Sequence, residues 1–332
     1  MPKVSVIIPN YNHEQFLRQR LESVFSQSLQ DFEVIFLDDC STDGSLEVLD
    51  TYRTDSRVSV VLNTANSGSP FKQWNRGLDL AIGEFIWIAE SDDYADSSFL
   101  EKLTGALDKS PEAGLAYCQS WIVGSHPDSS AQGVLQVPYA GFSNRERWSQ
   151  DHRNSGTAEI TDYLVFNNTI ANASSVVFRR SVLQNGLRAP ENMRLAGDWM
   201  FWIKILLRSD LIFLAEPLNF FREPHTGSQR HKTRSDALEL LEGIDVYTFV
   251  TRNLPLDKIT MRKVLMEQTK VWGTLSWRRR LGWKIGHDVY SRIAASHPEI
   301  RWLKALRILS AFAVYYLSTP LRHSRSRTNG HS

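Results

Sequence analysis

Short apolar segments typical of strands alternate with segments of helical periodicity along the first hundred residues. The strand-like blocks are residues 3–9, 33–38, 57–62 and 84–90. Apolar side chains at helical spacing occupy residues 14–28, Ser45–Tyr52 and the stretch from Phe71 to Ala81, and a further helix begins near Ser97. This alternation predicts right-handed βαβ crossovers, and therefore an α/β fold with a mostly parallel sheet and helices on both faces.

The pattern weakens from about residue 120 to residue 195. Polar and glycine-containing stretches predict loops over Gly124–Gly133 and Arg145–Gly156, with a strand near Ser174–Arg179. A helix is expected to begin near Asp198, and from about residue 234 nearly everything reads as helical, with breaks at Pro255 and Pro298. We therefore expect a body over residues 1–230 and a helical C-terminal region over residues 231–332.

Charge is also distributed unevenly along the chain. The 38 Lys and Arg almost balance the 37 Asp and Glu, but residues 258–332 hold 15 basic against 3 acidic residues. Residues 1–257 consequently hold 23 basic against 34 acidic residues. Two segments of the basic region, 277–284 and 301–307, mix Arg and Lys with Trp, a composition that suits an anionic membrane surface. Packing of these helices on the acidic body is equally open, and no recognition motif predicts a nucleic-acid partner.

Targeting signals are weak. The first apolar run is too short for a signal peptide. The apolar stretch between Arg307 and Arg322 is interrupted by polar residues and is shorter than the ~20 residues of a spanning helix. Two cysteines, Cys40 and Cys118, exclude a disulfide scaffold and suit a reducing compartment. We expect a cytoplasmic protein, attached peripherally to the membrane if the basic region binds lipid; its oligomeric state is open.

Acidic residues follow two of the predicted strands. Asp38 and Asp39 end the second strand, and Glu90-Ser91-Asp92-Asp93 ends the fourth. Ligands of open α/β sheets bind at the edge formed by the carboxyl ends of the strands. The turn after the first strand has no glycine and no P-loop is present, which disfavours a dinucleotide dehydrogenase or a P-loop enzyme. Carboxylates would repel the diphosphate of a bound nucleotide unless a divalent cation lay between them. The residues therefore favour a nucleotide site with Mg²⁺ or Mn²⁺. Plain turn or capping chemistry is the alternative for each aspartate.

Several motifs occur together in one order. They are Val4 to Asn12, Ser23 to Ser28, Asp38-Asp39 with Ser41 to Ser45, Asn66-Ser67-Gly68, Ala81 to Glu84, and Glu90 to Asp93. In this order and spacing they resemble the family 2 glycosyltransferases, which have the GT-A fold, over roughly residues 1–230.

The resemblance implies a set of binding residues. Asp39 would bind the nucleotide base, and Pro9 and Tyr11 would line the base and ribose. Glu90 and Asp92 would belong to the family's DxD element, with Glu in place of the first Asp. Lys72 would contact the donor, unless it is an ordinary surface lysine. The implied metal ligands are Asp92, Asp93 and His225, and a structural role for His225 is equally open.

The resemblance also implies a catalytic base. Ala196-Gly197-Asp198 is similar to the family's Glu-Asp helix start, with Gly197 in place of Glu. Asp198 would remove the acceptor proton, and the helix dipole is expected to lower its pKa. An ordinary helix-capping aspartate is the alternative.

These roles imply one reaction. We expect inverting transfer of a sugar from a nucleoside diphosphate sugar, UDP-linked, to a hydroxyl of a glycan or lipid-linked acceptor, in cell-surface polysaccharide biosynthesis. The alternative is a catalytically inactive nucleotide-sugar-binding or scaffold protein, which Glu90 and Gly197 would favour as departures from the family's commonest residues.

Overall fold

The computed structural model describes residues 1–124, 134–135, 142–222, 229–279 and 291–292. Strands and helices alternate through the first hundred residues. They are β1 (Val4–Asn10), α1 (Glu14–Phe25), β2 (Phe32–Asp38), α2 (Ser45–Asp50), β3 (Val58–Leu62), α3 (Pro70–Leu80), β4 (Phe85–Ile88), β5 (Tyr94–Ala95) and α4 (Phe99–Asp108). The predicted strands and helices of this part are confirmed, although α1 ends three residues earlier than its pattern predicts.

The second half adds strands to the same sheet. They are β6 (Ala113–Val123), β7 (Val134–Leu135), β8 (His152–Asn154), β9 (Val176–Arg179) and β10 (Asp210–Arg222). The α-helices of this half are α5 (Gly156–Glu159), α6 (Gly197–Leu206), α7 (Gln229–Asn253) and α8 (Lys258–Arg279), and short 3₁₀-helical and π-helical segments occur between residues 145 and 186.

One mixed sheet carries all ten strands of the described residues. Eight follow the order β3-β2-β1-β4-β9-β6-β10-β5, while β7 pairs with β6 and β8 pairs with β10. Strands β3, β2, β1 and β4 are parallel, whereas β9 runs antiparallel to both of its neighbours. The chain order reverses between β1 and β4, whose carboxyl ends lie side by side. The acidic residues that follow β2 and β4 therefore lie on either side of the end of β1, at the switch point where ligands of such sheets bind.

The long strands β6 and β10 are absent from the sequence prediction. Strand β10 contains Pro217, and its register against β6 shifts on both sides of that residue. The irregularity interrupts the alternation that would identify a strand. The two strands pair with each other along most of their length. They are therefore stabilised by long-range pairing, which the local sequence pattern does not indicate.

Apolar side chains pack on both faces of the sheet, as predicted. One face carries Leu17 and Leu21 of α1 with Phe99 and Leu103 of α4, all fully buried. The other face carries side chains of α3, α6 and α7, among them Trp74, Phe201, Trp202, Val246 and Val250.

The second half of α7 packs into the body. Val246, Tyr247 and Val250 of α7 lie in the same apolar cluster as Phe201 and Trp202 of α6. The break between α7 and α8 contains Pro255, as predicted. No helix of the described residues is long and apolar enough to span a membrane. Pro298, the basic segment 301–307 and the stretch to Arg322 lie outside the described residues, and the division at residue 230 stays a prediction.

Candidate active site

The loops after β1 and β2 are tied to each other. The amide of Asn10 donates to Asp38 Oδ1 (3.0 Å) and to Ser41 Oγ (3.1 Å). Asn12 Oδ1 accepts the backbone N–H of Thr42 (2.8 Å). Asn12 and Cys40 lie in the left-handed region, with φ of 54° and 66°, which non-glycine residues adopt at a cost. These cross-links hold both loops in one shape at the carboxyl edge of the sheet.

Asp39 lies at the centre of this edge and is buried. Its Oδ1 accepts from the amide of Asn63 (2.6 Å), the backbone N–H of Ser67 (2.8 Å) and the amide of Gln73 (2.9 Å), while its Oδ2 accepts from Ser67 Oγ (2.8 Å). A carboxylate held by this many donors has a fixed orientation. Pro9 is buried in β1, and the ring of Tyr11 is 45% exposed just beyond it.

The segment after β4 brings three carboxyl groups together. Glu90 Oε1 accepts the indole N–H of Trp74 (2.7 Å). Burial, and then the charge of Asp92, raise the pKa of Glu90 to about 8. The same two causes raise the pKa of Asp93 to about 7. At neutral pH Glu90 therefore carries a proton for most of the time and Asp93 for part of it, which reduces the negative charge of the cluster.

Arg20 of α1 lies behind these carboxyl groups, fully buried. Its Nε donates to the carbonyl of Glu90 (2.8 Å) and its Nη2 to Ser174 Oγ (3.2 Å). The same Ser174 Oγ accepts the backbone N–H of Glu90 (3.1 Å). Burial lowers the pKa of Arg20 to about 10, while the carboxylates of Asp93, Asp92 and Glu90 oppose that change. The guanidinium keeps its charge at neutral pH and offsets part of the negative charge in front of it.

Arg222, at the end of β10, fastens the same segment from the other side. Its backbone N–H donates to Asp93 Oδ1 (2.8 Å) and its Nε to the carbonyl of Asp92 (2.8 Å). Its other guanidinium nitrogens donate to the carbonyl of Gly124 (2.9 Å) and to Gln19 Oε1 (2.7 Å). The loop that carries Asp92 is thus bound to α1, β6 and β10 at once.

Asp198 stands in the first turn of α6 and is partly buried. Its Oδ2 accepts the amide of Asn168 (3.1 Å), and its Oδ1 accepts the backbone N–H of Trp199 (2.7 Å). Burial raises the pKa of Asp198 to about 7. The expectation of a lowered pKa at this helix start is therefore wrong, because desolvation of the carboxylate outweighs the hydrogen bonds that favour its charge.

Helix α3 contacts three parts of the site: Asp39 after β2, Glu90 after β4 and the start of α6. The amide of Gln73 bonds to Asp39, and the indole of the next residue, Trp74, bonds to Glu90. At the start of the helix the ring of Phe71 fills the space beside Gly197, where an added Cβ would lie 2.3 Å from ring carbon Cε2. Gly197 is thus required by close packing. The strand-end residues and the segment carrying Asp198 share one helix as their common support.

The family model for "Glycosyl transferase family 2" matches residues 5–187. The chain belongs to this family. The poly(ribitol-phosphate) beta-N-acetylglucosaminyltransferase TarS of Staphylococcus aureus is 28% identical over 254 residues, which are 74% of this chain and 40% of that protein. A GalNAc(5)-diNAcBac-PP-undecaprenol beta-1,3-glucosyltransferase of Campylobacter jejuni is 36% identical over 108 residues, 32% of this chain and 33% of that protein. The chain therefore spans well under half of the length of these relatives.

Solved structures show the same fold. The crystal structure of S. aureus TarS 1-349 superposes with a TM-score of 0.58 at 19% identity and covers 96% of this chain and 93% of that one. The mannosyltransferase PcManGT from Pyrobaculum calidifontis, in complex with GDP-Man and Mn²⁺, superposes with a TM-score of 0.57 at 17% identity and covers 96% and 81% of the two chains. The GT-A fold expected of a family 2 glycosyltransferase is confirmed.

Within this family 2 chain, the carboxylates suit a divalent cation only in part. The described residues hold no preformed group of three metal-ligating side chains. Asp93 is occupied by the backbone N–H of Arg222, whereas Asp92 is partly exposed. One carboxylate of this kind fits Mg²⁺ or Mn²⁺, since such ions often take one or two carboxylates and complete their shell with substrate phosphates and water.

Two further site residues, Lys72 and His225, are predicted from the family resemblance. Lys72 is exposed on α3, with its Nζ donating to the carbonyl of Ser67 (3.2 Å). His225 lies outside the described residues.

Sequence reasoning did not single out Arg20, Arg222 or Asn168. The partner of each residue lies 30 to 130 residues away along the chain, so no local pattern indicates the contact. The available signal was Arg20 itself, a charged residue on the apolar face of a predicted helix between Leu17 and Leu21.

Proposed function

We propose that the chain is an inverting glycosyltransferase that moves a sugar from a UDP-linked donor to a hydroxyl of a glycan or lipid-linked acceptor in cell-surface polysaccharide biosynthesis. The observation that carries the proposal is the support of Asp39, Glu90 and the Asp198 segment by the single helix α3. Both the candidate nucleotide site and the segment of the candidate base thus contact the same helix. Family membership and the names of the relatives support the reaction class.

The donor would lie along the carboxyl edge of the sheet. Asp39, with its fixed carboxylate, would face the base, and Pro9 and Tyr11 would line the base and ribose. A crystal structure of S. aureus TarS 1-349 in complex with UDP-GlcNAc supports a uridine donor. Glu90, protonated at neutral pH, would hold Trp74 and the loop in place, and Lys72 would approach the donor from α3.

Mg²⁺ or Mn²⁺ would be held by Asp92, with Asp93 and His225 as further proposed ligands. When bound, the ion would supply positive charge to the diphosphate leaving group. Arg20, a cation of the chain at this place, is fully buried, and its Nε and Nη2 are bonded to Glu90 and Ser174.

Asp198 would act as the general base. As the acceptor oxygen attacks the anomeric carbon, its proton passes to an Asp198 carboxylate oxygen, and the bond between that carbon and the diphosphate oxygen breaks with its electrons leaving on the diphosphate. A pKa of about 7 is matched to this task, because the group is ionised for much of the time yet basic enough to accept a proton.

The first test uses Asp198→Asn. We expect turnover, measured as UDP released with acceptor present, to fall by about 10²–10⁴-fold, the range for loss of a general base. UDP affinity measured by calorimetry should stay within about twofold, because the base makes no proposed contact with the nucleotide. The matched control is Asp50→Asn at an exposed position on α2, which should leave both quantities unchanged.

Three outcomes have distinct meanings. Full turnover in Asp198→Asn would remove Asp198 from the mechanism. Tight UDP binding without release from any of a panel of UDP-sugars and acceptors, even in the wild-type chain, would favour the catalytically inactive binding protein. Absence of nucleotide binding would contradict the proposed function altogether.

A further inference from the structure

Glu242 of α7 binds the backbone just before the proposed base. Its Oε1 accepts the N–H of Arg194 (2.8 Å), and its Oε2 accepts the N–H groups of Leu195 (2.9 Å) and Ala196 (2.8 Å). The side chain is only 5% exposed. Three consecutive amides that converge on one buried carboxylate have their direction fixed, since charge-assisted hydrogen bonds are the strong ones.

The position of these amides in the chain gives the contact its importance. Ala196 is the N-cap of α6, and its carbonyl accepts the N–H of Met200 (3.0 Å). Asp198 follows two residues later, in the first turn. The direction in which the chain enters α6 therefore sets where the Asp198 carboxylate points.

Helix α7 is a rigid support for Glu242. On the next turn Val246, Tyr247 and Val250 are fully buried in the core with side chains of α6. Gly243 lies beside Trp199, and a Cβ added there would stand at an ordinary contact distance, 3.6 Å, from the indole ring. The indole N–H of Trp199 donates in turn to the carbonyl of Leu164 (2.8 Å).

We infer that Glu242 is a positioning residue for catalysis, which holds the segment 194–196 so that Asp198 presents its carboxylate to the acceptor hydroxyl. The inference rests on the proposed function, since it needs Asp198 to be the base. It also extends the catalytic unit into α7, beyond the residues 5–187 that the family model matches.

The test is Glu242→Gln in the full chain. The amide keeps the shape of the carboxylate but offers one acceptor oxygen instead of two, so at least one of the three N–H groups loses its partner. We expect kcat to fall about 10–100-fold, because small misplacements of a reacting group have effects of this size. UDP affinity should stay within about twofold, since the nucleotide site at the sheet edge does not contact Glu242.

A matched control separates positioning from stability. Glu159 is another buried carboxylate, bonded to Arg147 (2.9 Å) and Asn154 (2.8 Å) but not to the segment 194–198. Glu159→Gln should lower the melting temperature to a similar degree and leave kcat per folded molecule unchanged. Equal kcat losses in both variants would overturn the inference.

A double-mutant cycle gives a second readout. In an Asp198→Asn background, Glu242→Gln should cause little further loss of the residual rate, because residues that act as one unit are not additive. A full additional loss would indicate a general structural effect and contradict positioning. If Glu242→Gln does not fold, Glu242→Asp keeps the charge but shortens the reach, and an unchanged kcat in that variant would equally overturn the inference.

Failure of the proposed function and failure of the positioning role give different results. If Asp198→Asn keeps full turnover, the proposed base is wrong and the role of Glu242 falls with it. If Asp198→Asn is inactive while Glu242→Gln has the wild-type kcat, the proposed function stands and only the positioning role is refuted.

Discussion

At the scale of single residues, burial controls the chemistry of the carboxyl groups. Glu90, Asp93 and Asp198 all have raised pKa values, and in each case desolvation is the largest cause. The consequences differ with position. Glu90 is kept neutral beside an indole donor. Asp198 has a pKa close to neutral pH and accepts from two hydrogen-bond donors that favour its charge.

The pKa of Asp198 predicts a pH profile. A base works only when it is deprotonated, so kcat at saturating donor should rise with pH through about 7 and level off above it. Well below that value each further pH unit should lower kcat by about tenfold. Stopped-time assays of UDP release between pH 5 and pH 9 measure the profile, and a flat kcat over the acid range would contradict the assignment.

Asn168 offers a directed change of that profile. Its amide bonds to Asp198 and lowers the pKa of the carboxyl group. Replacing it, in Asn168→Ala, removes a donor that favours the charged form, so the acid limb should move to higher pH. An acid limb that stays in place or moves to lower pH would argue against this contact in solution.

At the scale of elements, α3 organises the site. It spans only eleven residues, yet Gln73, Trp74 and Phe71 reach three different parts of it. The sequence pattern predicts the helix and its apolar face correctly. The pattern treats Trp74 as a core residue, however, and does not show that its indole nitrogen bonds to Glu90, because that partner follows a strand sixteen residues later.

The fit between α3 and α6 predicts a stability change. In Gly197→Ala the new methyl group would meet the buried ring of Phe71, and overpacking of this kind costs about 1–3 kcal/mol of unfolding free energy. Thermal melting should show the loss. Gly105→Ala in α4 is the matched control, because no atom lies within 4 Å of an added Cβ there and alanine favours a helix.

Equal changes of melting temperature in Gly197→Ala and Gly105→Ala would contradict the packing argument. A second check is Phe71→Leu combined with Gly197→Ala, since the smaller side chain makes room for the methyl group and should recover part of the loss. No recovery in the double variant would show that the contact with Phe71 is not the cause.

At the scale of the whole molecule, the uneven charge separates the acidic body from the basic C-terminal region. The net charges are −11 over residues 1–257 and +12 over residues 258–332, and they sum to +1 over the chain. We expect the intact chain to sediment with vesicles that contain an anionic phospholipid and not with neutral phosphatidylcholine vesicles, and to be released by salt.

Charge-matched variants identify the source of that binding. Replacing Arg278, Arg279 and Arg280 by Gln should reduce sedimentation. Removing three charges from exposed positions of the body should not, and the matched set is Arg18, Arg53 and Lys109. An equal effect of the two sets would eliminate a specific role of the basic region.

The amino-acid sequence by itself determined the α/β class, the strand-end carboxylates and the family, because these depend on local periodicity and on short motifs. It did not indicate β6 and β10, where Pro217 and register shifts interrupt the pattern. It also suggested a lowered pKa for Asp198, since a helix start is visible in sequence but burial is not. Only the tertiary structure decided that burial outweighs the hydrogen bonds that favour the charge of Asp198, that the ring of Phe71 leaves no space for a side chain in place of Gly197, and that Glu242 bonds to the segment before the base. These are contacts between residues far apart in the chain, and they exist only once the core has packed.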